Sequence, residues 1–183
     1  LFEDLLVRRA LTHAIDRDYI VEKMLNGSVE NKAGPMPNEP GWYDPELKPP
    51  SYDPTLALAL LQKAGWHMDT RNQYLMKNGA LFEFEILLSS GSETDLKIAR
   101  FIKLCLNDVG IRVHLKSMPL EVLNERYYRN TEFDAVLTEF SAYTRKPEEL
   151  FGLWVTMEGK QSKAGMFDSP EAARLSCSPH ARG

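Results

Sequence analysis

The residues best suited to chemistry are scattered, and their spacing argues against most of the chemistry they might do. In "TEFDAVLTE" (residues 131–139) three carboxylates, Glu132, Asp134 and Glu139, lie close together, as a general acid–base pair would require. The segment alternates like a strand, however, so Asp134 and Glu139 face opposite sides and make no pair. "SSGSE" (89–93) has the outline of an anion cradle, because free backbone N–H groups gather at a helix N-terminus. It holds one glycine and neither GxGxxG nor GK[ST], and an ordinary helix start is the better account of it. Of the four histidines, His114 sits on the polar side of a strand between Arg112 and Lys116. His13 lies near Asp16 without a nucleophile in its sequence neighbourhood, and His180 falls in an irregular tail. Cys105 shares a helix face with Ile98, Phe101, Ile102 and Val109, the position of a core cysteine. Cys105 and Cys177 have no metal-ligand spacing, and Asp44, Glu46 and Asp53 do not have the spacing of a calcium loop. No metal, no cofactor and no catalytic set is expected, and the chain does not read as an enzyme.

The elements that would position these groups are legible. "LLVRRALTHAI" (5–15) carries a helical stripe of Leu6, Ala10, Leu11 and Ala14. Asp16 is a good N-cap for a second helix, "RDYIVEKML" (17–25), which ends at Asn26-Gly27. Residues 28–54 form a long loop rich in proline and glycine, with Trp42, Tyr43 and Tyr52 to pack it. Asp53-Pro54 then opens the helix "TLALALLQKA", which stops at Gly65. After a polar turn around Asn78-Gly79 the pattern alternates. "LFEFEILL" (81–88) predicts a strand and residues 92–110 a helix, with Ser92 and Asp95 at capping-box spacing. "IRVHLKSM" (111–118) predicts a strand, "PLEVLNERYYRN" (119–130) a helix, "FDAVLTEF" (133–140) a third strand and "PEELFGLWV" (147–155) a short helix.

This order of elements predicts an α/β fold: a mostly parallel, twisted sheet flanked by helices and joined by right-handed crossovers. In such sheets ligands sit beyond the carboxyl ends of the strands. Three stretches qualify, "SSGSE", "SMPLE" (117–121) and "SAYTRKP" (141–147). Composition fits an ordinary globular chain, with 183 residues, 43% hydrophobic and 26% charged. A net charge of −4 with no basic stripe gives no sign of a nucleic-acid partner. No apolar run approaches the roughly 20 residues of a membrane-spanning helix. The chain starts without a methionine and its last eight residues abandon the preceding helical pattern, so a piece of a longer protein is expected.

Four blocks in order carry a resemblance. "VRRALTHAIDRDYIVEKMLNG" (7–27), "YDPELKP" with "YDPTLALALLQKAG", "IKLCLNDVGIRVHL" and "FDAVLTEFSAYTRKPEELF" are similar, in type and sequence, to blocks of one family. It is that of extracytoplasmic solute-binding proteins serving ATP-driven importers of oligopeptides, dipeptides, nickel and related solutes. The likeness covers roughly residues 5–168. It implies one lobe, the carboxyl-terminal one, of a two-lobed type II periplasmic-binding-protein fold that traps ligand in a cleft by hinge closure. On that reading residues 1–175 are the lobe, 28–54 its long loop, 81–155 its βαβαβ core, and 176–183 an irregular tail. The implied partners are a small peptide-like solute, the amino-terminal lobe of the same protein and permease subunits in the membrane. The implied location is periplasmic or extracytoplasmic.

The resemblance also nominates site residues. In peptide-binding members the segment after the third strand supplies an aromatic, a small residue with backbone groups, and an aspartate that holds the peptide ammonium. Phe140, Ser141, Ala142 and Tyr143 occupy that segment here, with Tyr143 in place of the aspartate. Glu121 stands where members often carry a tryptophan. Both departures count against ammonium recognition in the usual way, unless Glu121 or Glu139 takes it over. Two readings from other classes stay open at this point: a small α/β enzyme with its site at the same strand ends, and a lobe repurposed as a sensor or regulatory module.

Overall fold

The computed structural model describes residues 1–33, 46–127 and 133–139. Helix α1 (Leu5–Ala14) starts where the Asp4 carboxylate accepts the Leu6 amide, and it buries Val7, Ala10 and Ala14. Asp16 likewise accepts the Tyr19 amide to begin α2 (Arg17–Tyr19). The backbone then widens into a π-helical turn over Ile20–Met24, with the Leu25 amide donating to the Ile20 carbonyl, where the sequence predicts one continuous α-helix. Helix α3 (Pro54–Lys63) has the predicted acidic cap and first-turn proline: Asp53 accepts the Leu56 amide at 2.9 Å. Its buried Ala57 and Leu61 join Ala10 and Ala14 of α1 in one core. Small residues there let the two helices approach closely.

A finding the sequence reading lacks is a second, antiparallel sheet. Strands β1 (His67–Met68), β2 (Leu75–Lys77) and β3 (Ala80–Leu81) form a meander in residues read only as a polar turn. Asn78 and Gly79 make its two-residue hairpin turn, both at positive φ, 52° and 79°. That geometry matches the right-handed twist of the flanking strands. The predicted strand at 81–88 is divided accordingly. Leu81 belongs to the meander, and β4 (Glu83–Ser89) to the main sheet. Phe82 joins the two. Its amide donates to the Leu75 carbonyl of β2, and its carbonyl accepts the Arg112 amide of the neighbouring main-sheet strand. Its ring is fully buried 4.4 Å from that of Trp66.

The main sheet continues through α4 (Glu93–Asp108), β5 (Arg112–Met118), α5 (Leu120–Glu125) and β6 (Ala135–Leu137). All pairings are parallel, with β4 central in the order β5-β4-β6. The chain therefore crosses from β4 to one side and returns over it to the other. Right-handed crossovers in opposite directions place α4 and α5 on opposite faces. The packing agrees. Phe84, Ile86 and Val113 bury one face of the sheet in the large core with Leu106 of α4 and Val109, its C-cap. On the other face Leu87 and Met118 form a small cluster with Leu123 of α5. Gly110, at φ 80°, turns α4 into β5, and a Cβ there would lie 2.7 Å from the Met68 terminal methyl of the meander.

Helix α5 covers Leu120–Glu125, with π-helical backbone at 126–127, within the predicted 119–130, and β6 covers Ala135–Leu137 within 133–140; residues 128–130 and 140 lie outside the described residues. The predicted helix at 147–155 and the tail at 176–183 lie outside the described residues, as does part of the long loop, 34–45.

Candidate functional site

Order β5-β4-β6 creates a topological switch point. Crossovers leave β4 and β5 in opposite directions, so the carboxyl ends of the strands open between the two helices rather than beneath one. A cleft of ≈ 780 Å³ lies there. Its lining comes from the exit of β4 (Ser89, Ser90, Gly91), the start of α4 (Ser92, Asp95), the start of α5 (Pro119, Leu120, Glu121) and the exit of β6 (Leu137, Thr138, Glu139), among others. Hydrogen bonds fix the shape of this rim. The Ser90 amide donates to the Met118 carbonyl at 2.8 Å, tying the exits of β4 and β5 together. The Ser92 hydroxyl caps α4 by accepting the Asp95 amide at 3.1 Å.

Two of the three strand-end stretches singled out from sequence thus meet in one cleft. Glu121 is among its lining residues, at the exposed first turn of α5. Phe140, Ser141, Ala142 and Tyr143 lie outside the described residues, although Thr138 and Glu139 immediately before them reach the cleft. Glu139, weighed from sequence only as a stand-in for the missing aspartate, lines the cleft, and so does the half-exposed Leu120 of "SMPLE", which was not singled out by itself. Their position within or next to a nominated stretch was the available signal. "SSGSE" is the ordinary helix start that its sequence favoured over an anion cradle. Glu93 and Asp95 occupy the first turn of α4, so the positive end of that helix already faces carboxylates.

The other singled-out residues have structural roles. His13 contacts the Ser51 carbonyl at 2.8 Å through Nδ1, and Arg17 donates to the Pro50 carbonyl at 2.9 Å, so both hold the end of the long loop. Burial pushes the Cys105 thiol above its ordinary pKa. A hydrogen bond from the Asp16 backbone opposes that shift, and the charges of Asp16 and Asp108 add to it. A protonated thiol is a poor nucleophile. Asp134, at the start of β6, accepts the Glu85 amide at 2.9 Å, far along the strand from Glu139. His114 lies 3.2 Å from Glu83, which Arg112 approaches to 3.7 Å, while Lys116 reaches Glu85 at 3.2 Å. These ion pairs form a cross-strand ladder on β4 and β5. Among the described residues no group of three His, Cys, Asp or Glu is placed to hold a metal ion.

An open parallel sheet with a cleft at its switch point is an architecture shared by binding proteins and enzymes, so the fold alone does not name the class. Comparison with known proteins identifies it. Residues 1–162 match the family model "Bacterial extracellular solute-binding proteins, family 5 Middle". The chain belongs to this family of non-enzymatic solute-binding proteins of ABC transport, whose members are extracellular or periplasmic. It is 32% identical over 149 residues to the oligopeptide-binding protein AppA of Bacillus subtilis, covering 79% of this chain and 27% of AppA. It is 28% identical over 112 residues to the nickel-binding periplasmic protein of Escherichia coli, covering 61% of this chain and 21% of that protein. The structure of Bacillus subtilis AppA in complex with a nonapeptide superposes with a TM-score of 0.83 at 26% identity, over 100% of this chain and 38% of AppA. The chain thus spans between a fifth and two-fifths of these relatives. Its α/β architecture matches part of the periplasmic-binding-protein fold, as the resemblance implied.

Proposed function

We propose that this chain is the carboxyl-terminal lobe of a binding protein for peptide-like solutes, and that it forms one wall of a cleft closed by hinge motion against a second lobe. The observation that carries the reading is the open cleft at the switch point, lined by the exits of β4 and β6 and the first turns of α4 and α5. Such a wall needs only positioned apolar and hydrogen-bonding groups, which serine hydroxyls, backbone amides and leucines supply. Similarity to AppA, a protein solved with a nonapeptide, favours peptides over metal chelates. Phe140, Ser141, Ala142 and Tyr143 continue the chain directly from the cleft residue Glu139, and in this reading they extend the wall. Permease subunits in the membrane are the partners that would receive the solute.

The test uses the full-length protein. A tetrapeptide present at 100 times its Kd should stabilise the folded state by about 2.7 kcal/mol and raise the melting temperature accordingly. The excised 183-residue chain should bind the same peptide weakly or not at all, since half the cleft would be missing. Tight binding by the excised chain would contradict the two-wall reading. Phe140→Ala should weaken peptide binding about tenfold or more in the full-length protein with little change in stability, because contact aromatics carry much of a binding interface. Lost stability with unchanged affinity would make Phe140 a core residue instead.

A further inference from the structure

The charge of the cleft wall bears on which peptides it accepts, an inference that rests on the peptide reading above. Of the described residues lining the cleft, three carry a formal charge, Asp95, Glu121 and Glu139, and all three are acidic. None of them forms an ion pair among the described residues. Elsewhere on the sheet acids are matched. Glu83 and Glu85 have Arg112, His114 and Lys116, and on the outer surface of α4 Glu93 has Lys97.

The three carboxylates are not equivalent. Asp95 and Glu121 sit in the first turns of α4 and α5, where the partial positive charge of the helix end offsets part of their own. Glu139 lies two residues beyond β6, on no helix, and among the described residues nothing gives it such compensation. Beside these groups the wall is aliphatic. Leu120 is half exposed at the lip, Pro119 adjoins it, and Leu123 and Leu137 lie deeper.

We propose that this cleft selects peptides carrying a basic side chain next to an aliphatic one, with Glu139 the principal charge-selecting residue, Glu121 its support and Leu120 the apolar contact. Hinge closure removes water from the cleft. That strengthens the attraction between a carboxylate and a ligand cation, and it makes burying a ligand anion there costly.

Calorimetry on the full-length protein with three synthetic peptides, Ala-Lys-Leu-Ala, Ala-Gln-Leu-Ala and Ala-Glu-Leu-Ala, tests the proposal. All share one terminal ammonium and one carboxylate, so the comparison isolates the side chain. The lysine peptide should bind about tenfold more tightly than the glutamine peptide, as a charge-assisted contact requires, and the glutamate peptide more weakly still. Glu139→Gln should remove most of that preference, and with Glu121→Gln added the three affinities should fall within about twofold of one another. Both positions are exposed, and an unchanged melting curve of each free variant confirms that folding is intact. Equal affinities in the parent protein would overturn the charge selection and leave the peptide reading standing. A lysine preference that survives both substitutions would overturn the assignment to these residues. Failure to bind any of the three would overturn the peptide reading and this proposal with it.

Discussion

The two ends of β4 treat acidic residues in opposite ways. At its amino end Glu83 and Glu85 meet Arg112, His114 and Lys116 across the strand pair, and the Asp134 carboxylate takes the Glu85 amide. At its carboxyl end Asp95, Glu121 and Glu139 surround a cleft without a described cation. Support differs too. The amino end lies over a core of fifteen buried residues, whereas three, Leu87, Met118 and Leu123, hold the cleft end on the α5 face. Among the described residues one end pairs its acids and the other does not, and the second end stands on the smaller cluster.

Three substitutions sharpen or break this contrast. The largest effect is expected from Leu123→Ala, which removes the one buried α5 side chain of the small cluster. A loss of about 2–5 kcal/mol is expected from a buried leucine truncation. Hydrogen exchange should show it mainly in α5 and the cleft rim, with β4 and α4 amides keeping their protection. Equal loss of protection at both ends would mean that they form one cooperative unit. Ser92→Ala comes next, because it deletes the cap of α4 at the cleft lip. Its expected cost is about 1 kcal/mol, read by urea unfolding, together with weaker peptide binding as the rim loosens. Smallest is Glu83→Gln in the ladder. Its ion pairs join side chains about half exposed to solvent, so stability should change by less than about 1 kcal/mol, and by less again in 1 M salt. Peptide affinity should not change. A fall in affinity would show that the ladder end communicates with the cleft.

How much was legible in the sequence follows from the range of the interactions involved. Helix α3 was fully legible, since Asp53, Pro54 and Gly65 act within a turn of their own positions. The capped start of α4 at Ser92 was legible for the same reason. The meander was missed even though Asn78-Gly79 marks a two-residue hairpin, because strands of two or three residues carry too little alternation to register. Phe82 illustrates the limit. It reads as an ordinary strand residue, and only the pairing of distant segments makes it the link between two sheets. At the cleft the strand-end stretches were identifiable and Glu139 was considered, but that Leu120 and Glu139 border the same space as Ser89–Ser92 was not. Their importance depends on the order in which strands lie side by side, and strand order is not a local property.

By itself the sequence determined the alternation of strands and helices, the caps that start them, the blocks that place the chain in its family and the absence of any recognisable catalytic spacing. These follow from propensity, periodicity and spacing, which act over a few residues. The tertiary structure decided that β4 lies in the middle, that α4 and α5 cover opposite faces, and that among the described residues one set of carboxylates is paired while the other lines a cleft. Three glutamates with the same chemistry differ in what the fold brings beside them: Arg112 at 3.7 Å for Glu83, Lys116 at 3.2 Å for Glu85, a cleft for Glu139.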